Sequence, residues 1–259
     1  MKLHPRFSAA LRASFYHLLS SLFLAVLTAL MVFKVWYIWP LDEMVGGKTL
    51  FFLVVSIDVI CGPLLTLVLW NPAKPRRVLL QDMLIVCAVQ LAMLTYGVYT
   101  VAVARPVHLV FEVDRFRVIT ASEIDPAALS AAPEGLRQLP WTGPTLIGVR
   151  SPRNSDEFVK SLDLSLAGQE PSLRPDWWQD YATSVPEVLK RAKSLDILQQ
   201  AYPAEKLELD KAVGQSGLAA FDLVWLPLTH TRAMDWVVLL DNKTGQPRAY
   251  AHIDGFIEK

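Results

Sequence analysis

The sequence predicts a three-helix transmembrane bundle followed by a soluble α+β domain, an antiparallel sheet with about three helices. Three observations predict it. Three apolar runs of about 20 residues fall within the first 104 positions, each long enough to cross roughly 30 Å of hydrocarbon. Both cysteines, Cys61 and Cys87, lie inside those runs. Charge then rises: residues 1–104 hold eight Lys/Arg and four Asp/Glu, residues 105–259 hold seventeen and twenty-one. The tail is long enough to bury a core of its own. It is mildly acidic and has no concentrated basic face, which argues against nucleic acid as a partner.

The spacing predicts membrane helices over about 13–35, 49–70 and 80–104, forming a domain of residues 1–104. Lys2, Arg6 and Arg12 precede the first run, as in a signal peptide. The run is too long for a signal core, however, and Lys34, Trp36 and Trp39 follow it instead of a small-x-small cleavage site, so a retained helix is expected. Basic residues mark the cytoplasmic loops. The N-terminus and the second loop, with Lys74, Arg76 and Arg77, fit that side, and the first loop, with Asp42 and Glu43 against Lys48, does not. The first loop and residues 105–259 are thereby expected on the far side of the membrane.

Asp58 stands near the middle of the second run. A carboxylate there costs roughly 2.5–3.5 kcal/mol on insertion scales, so it normally faces protein or water. Asp58, Gly62 and Thr66 recur every four residues and share a helix face, and Pro63 beside Gly62 predicts a kink. Counting from span midpoints puts Asp58 level with Tyr96, Thr95 and Thr28, its expected partners, and puts Gln90 about 7 Å deeper. Asp58 then either ties the helices together or engages a polar group on a client helix. Gln90 and Gly97, seven apart, share a face that reads as a packing seam. Asp82 is expected to cap the third helix rather than to pair with Lys74 or Arg77.

Arg105 and Pro106 end the third helix and form a candidate membrane-exit hinge, because the residue before proline is pushed out of the helical region. Alternating apolar residues predict a strand over 107–113, a turn at Asp114-Arg115 and a second strand over 116–120. Residues 121–144 read as loop with a short helix, and 145–150 as a strand. Helices are expected over 158–167 (capped by Asn154 with Glu157), 184–202 and 204–213, the last two ended by Pro203 and Gly214. Trp177, Trp178 and Tyr181 are expected in the core. Strands over 223–228, 236–240 and 248–253 close the chain, with a hairpin turn at Asn242–Gly245.

The sequence carries no catalytic signature. His4, His17, His108, His230 and His252 are scattered, without metal-ligand spacing. His230 and His252 meet only if their strands pair. No nucleophile elbow, phosphate-binding glycine loop or Cys-x-x-Cys occurs. No enzyme and no cofactor are expected.

The run Asp58-Val59-Ile60-Cys61-Gly62-Pro63-Leu64-Leu65-Thr66, then Lys74, Asp82, Gln90, Tyr96-Gly97 and Arg105-Pro106-Val107, resembles the TfpX/TfpZ family of type IV pilin accessory proteins. Trp236–Asp241 with Lys243, Thr244 and Gly245 is similar to that family's C-terminal hairpin. The resemblance implies an inner-membrane protein with a periplasmic domain, supporting stability or assembly of a cognate type IV pilin, major or minor, without catalysis. Other pilus assembly proteins and membrane lipid are the further partners it implies. The alternative is a membrane-anchored periplasmic sensor or ligand-binding module, and a transporter would need more spans and more buried polar groups.

Overall fold

The computed structural model describes residues 5–257 of the chain. Lys2 and His4 lie outside the described residues. The chain divides into two units, one of residues 1–38 and 46–104, the other of 39–45 and 105–259.

The first unit is helical. Its helices are α1 (Pro5–Met31), extended by a π-helical turn at Val32–Trp36, then α3 (Gly47–Leu69) and α4 (Arg76–Val103). The short α2 (Leu41–Met44) belongs to the second unit. Each long helix is apolar around most of its circumference, so it needs an apolar surround. Protein buries 11%, 22% and 6% of the most apolar stretches of the three. Leu, Ile, Val and Phe side chains therefore cover their outer faces, as suits helices in lipid. α1 and α4 both pack on α3. The Tyr37 hydroxyl donates to the Val101 carbonyl at 2.8 Å and ties the end of α1 to that of α4. α3 runs on through Pro63. α1 and α4 begin earlier than expected, at Pro5 and Arg76, because amphipathic turns outside the apolar runs extend both helices.

The second unit is built on one eight-stranded sheet. Its strands are β1 (Pro106–Glu112), β2 (Arg115–Thr120), β3 (Thr145–Val149), β4 (Trp178–Asp180), β5 (Lys193–Ser194), β6 (Leu223–His230), β7 (Ala233–Asp241) and β8 (Pro247–Ala251). The order is β4-β3-β1-β2-β6-β7-β8, and β5 also pairs with β6. The sheet is mixed, not antiparallel: β1 runs parallel to β3 and β2 parallel to β6. Alternation of apolar residues marks a strand but not its direction. The long connections at 121–144 and 150–222 supply the crossovers that parallel neighbours need. The first crossover consists of 3-10 turns, and its Ile124 and Ala132 pack on Val110, Ile119, Ile147 and Trp178.

The unit's α-helices after α2 are α5 (Ser155–Leu166), α6 (Tyr181–Arg191), α7 (Leu195–Ala201) and α8 (Lys206–Ser216). The single helix expected over 184–202 is two, because Lys193 and Ser194 leave it to pair with Trp225 and Val224. α8 continues through Gly214 and stops at Gly217, whose φ of 71° ends it. Leu195, Leu198, Leu209 and Ala212 of α7 and α8 cover Trp225, Val237 and Leu239. α6 lies close on β3 because Gly148 has no side chain: a Cβ there would sit 1.9 Å from the Ser184 hydroxyl. The β1–β2 turn is Val113-Asp114, with Val113 at φ 57°. That is a strained conformation for a β-branched residue.

Candidate functional site

Polar side chains of the helical unit converge on Gln90. Its Oε1 accepts from His17 Nε2 at 2.5 Å, and its Nε2 donates to Ser21 Oγ at 2.7 Å. His17 Nδ1 lies 2.5 Å from the Thr66 hydroxyl. Gln90 Nε2 also lies 3.5 Å from Asp58 Oδ2. Gly62 makes room for the amide, since a Cβ there would stand 2.3 Å from Gln90 Oε1.

Asp58 is therefore paired differently from expectation. Thr28 and Thr95 return their hydroxyls to the carbonyls of Leu24 and Leu91, and Tyr96 is 72% exposed on the outer surface. α4 begins at Arg76, which moves its midpoint to Gln90, while Asp58 sits at the midpoint of α3, so Gln90 and not Tyr96 is level with it. Asp58, Gly62, Pro63 and Thr66 are all buried. Gly97 packs against Val54 of α3. His17 was not singled out from the sequence, since no spacing rule links positions 17 and 90 on different helices. Asp82 pairs with Lys74 at 2.5 Å instead of capping. Six residues inside α4, it is beyond reach of the free amides of the first turn.

Arg105 and Pro106 join the second unit. The Arg105 guanidinium donates to the Pro140 carbonyl at 3.2 Å and lies over the Trp141 ring. Trp177, Trp178 and Tyr181 are buried as expected. His230 and His252 do not meet, because β7 lies between β6 and β8. His230 faces Glu123 at 3.7 Å, while His252 stacks on Trp236 and bonds Asp235 at 2.7 Å. Among the described residues no group of three or more His, Cys, Asp or Glu is placed to hold a metal.

The second unit carries a cleft of about 1060 Å³ bounded by the β1–β2 turn, α5, α6 and the β6–β7 turn. Its charges are largely answered within its own walls. Arg150 makes two bonds to Glu157, at 2.7 and 3.0 Å, which bring that carboxyl down to about 2. Arg117 pairs with Glu170. Burial raises Glu112. Burial opposes ionisation of nearby Glu123 as well, but bonds from His230 and Thr120 outweigh it and hold this carboxyl near 2.

The walls also carry exposed apolar surface. α5 buries Ser161, which accepts from Arg174 at 2.5 Å, and leaves Phe158, Val159, Leu162 and Leu166 between 51% and 81% exposed. Phe158 and Leu162 reach the cleft, where Met234 faces them. Phe158, Leu162 and Leu166, spaced four apart, thus form an uncovered apolar side of α5.

The family described as fimbrial assembly protein FimB matches residues 5–46. The chain is 34% identical over 252 residues to the fimbrial assembly protein of serogroup I of Dichelobacter nodosus, covering 97% of this chain and 98% of the relative. It is 33% identical, with the same coverage, to the serogroup E1 protein of that organism. The protein of serogroups C1 and C2 is 42% identical over 119 residues, covering 46% of this chain and 91% of the relative. No solved structure matches.

Proposed function

The chain belongs to the family of fimbrial assembly proteins, and from that premise we propose that it is a non-catalytic accessory protein of type IV pilus biogenesis. It sits in the inner membrane through α1, α3 and α4, with its second unit in the periplasm. There it holds the globular head of a cognate pilin before or during assembly.

The observation that carries this reading is the uncovered apolar side of α5 beside the cleft, in a chain aligned end to end with fimbrial assembly proteins. The orientation is supported by the basic ends Arg6 and Arg12 of α1 and Arg76 and Arg77 of α4. It is supported too by residues 39–45, the turn between α1 and α3, which belong to the sheet unit and set Trp39 against Trp236. A single anchored protein that contacts both the head and the membrane segment of a client raises the effective concentration of the second contact, so each can be weak.

The test replaces Leu162 and Leu166 together by Asp in a strain lacking the chromosomal gene. Both side chains are exposed, so stability should move by less than about 0.5 kcal/mol per site. If a client buries them, each contributes about 1.5–3 kcal/mol, and pilin capture by in-cell crosslinking should fall on the order of 100-fold. Surface pili should fall with it. Full piliation by the double variant would remove α5 from the reading, and normal pili in the deletion strain would remove the role itself.

A sensor reading draws on the same cleft, whose volume suits a small ligand. Among the described residues only 70–75 separate α3 from α4, too short a segment to serve as its output element.

A further inference from the structure

α1 and α4 are both packed on α3 and leave a lateral groove of about 930 Å³ between them. Its walls run along α1 from Ala9 to Leu24 and along α4 from Met83 to Leu94, and its end is set by Trp70 and Pro72. The fifteen steps of 1.5 Å from Ala9 to Leu24 make it roughly 22 Å long, and Leu24, Leu91 and Leu94 give it an apolar lining along which acyl chains can lie.

Its charge is one-sided. Arg12 lines it and no Asp or Glu does. Among the described residues the Arg12 guanidinium has only the Ser8 carbonyl, at 3.4 Å, and no carboxylate. Lys74, by contrast, is held by Asp82. Arg12 stands about one and a half turns above Arg6, at the end of the unit that also carries Trp70, Arg76 and Arg77. An arginine beside a tryptophan at that level is the arrangement that meets a phosphate at a headgroup boundary. His17 closes the floor but is already bonded to Thr66 and Gln90, which leaves Arg12 as the anion-seeking group.

We propose that this groove is a binding site for an anionic phospholipid, its phosphate on Arg12 and its acyl chains along Leu24, Leu91 and Leu94. The proposal shares with the functional reading only the premise that the helices lie in a membrane. Lipid would then complete the wall between α1 and α4, and the Gln90 network would be shielded on its open side.

The full chain, purified in mild detergent, is titrated with phosphatidylglycerol or phosphatidylcholine and bound lipid is counted by native mass spectrometry. One phosphatidylglycerol per chain should be retained in preference to phosphatidylcholine, and excess inorganic phosphate should not displace it. Arg12→Gln should weaken retention about fivefold, the equivalent of roughly 1 kcal/mol for one arginine at an anionic interface. Leu91→Trp, which fills the groove from an exposed position, should abolish it without lowering the melting temperature. Equal retention of the two lipids, or undiminished retention by Arg12→Gln, would overturn the proposal. So would a photocrosslinker at position 91 that captures a polypeptide in place of lipid in intact cells. None of these readouts depends on piliation, so the proposal and the pilus role fail separately.

Discussion

Acidification should loosen the sheet unit through one histidine. His108 of β1 has no solvent exposure, lies 4.8 Å edge-on from the Trp178 ring, and bonds Thr145 Oγ1 through Nδ1 at 2.6 Å. Its Nε2 is buried without a hydrogen-bond partner, so a proton there would be stranded. Burial accordingly lowers the imidazole from 6.5 to about 4. A histidine held neutral adds nothing above pH 6.5, where the unfolded chain is neutral too. Below 6.5 the unfolded state takes a proton that the folded state refuses, so stability falls with pH until the folded group titrates near 4. At about 1.4 kcal/mol per unit, the interval from 6.5 to about 4 corresponds to a loss of roughly 3 kcal/mol. His108→Phe keeps a ring against Trp178 and removes the titration, while the half-exposed strand end at Thr145 hands that hydroxyl to water. Denaturant unfolding of both proteins, followed by tryptophan fluorescence at pH 7, 5.5 and 4, isolates the difference because the carboxylates are common to both. Parallel stability–pH curves would refute the argument.

Glu123 should govern the next interval. Its carboxylate accepts from the Thr120 amide at 2.7 Å and hydroxyl at 2.8 Å, and its pKa lies near 2 instead of 4.5. The stabilisation is complete above pH 4.5 and disappears as pH falls through 2, so Glu123→Gln should cost about 1–3 kcal/mol at neutral pH and flatten that acid limb. An unchanged limb would contradict the assignment. Gly62→Leu should drive Gln90 from its bonds to His17 and Ser21 and cost about 2 kcal/mol or more, read as a lower melting temperature in detergent; an unaltered melt would show that the amide has room to move. Asp58→Asn keeps the volume and an oxygen to accept from Gln90, so the protein should still fold and pili should persist. Loss of pili from a stably folded Asp58→Asn protein would restore this residue as a client contact.

Helix and strand existence was legible because it depends on local pattern. The three apolar runs, the β1–β2 hairpin, the turn at Asn242–Gly245 and the Asn154 cap of α5, which accepts from the Glu157 amide at 2.8 Å, all stand where periodicity and capping residues put them. The division of 184–202 into α6 and α7 was not legible. Its apolar stripe suits one helix, and only the approach of β6 to Lys193 and Ser194 decides otherwise. Strand direction was hidden for a similar reason, since parallel and antiparallel neighbours use the same alternation.

The polar network shows the boundary most plainly. The amino-acid order alone determined that Asp58, with Gly62 and Thr66 on its face, had to be covered, because an exposed carboxylate in an apolar helix is too costly to leave in hydrocarbon. It did not determine by what. A shift of a few residues in where α4 begins brings Gln90 rather than Tyr96 level with Asp58, and His17 joins from a helix more than forty residues earlier. The same holds for α5: its amphipathic pattern is written in the chain, but a pattern has no sense of inside and outside. Only the assembled sheet, with Arg174 holding Ser161, turns the apolar side toward the solvent.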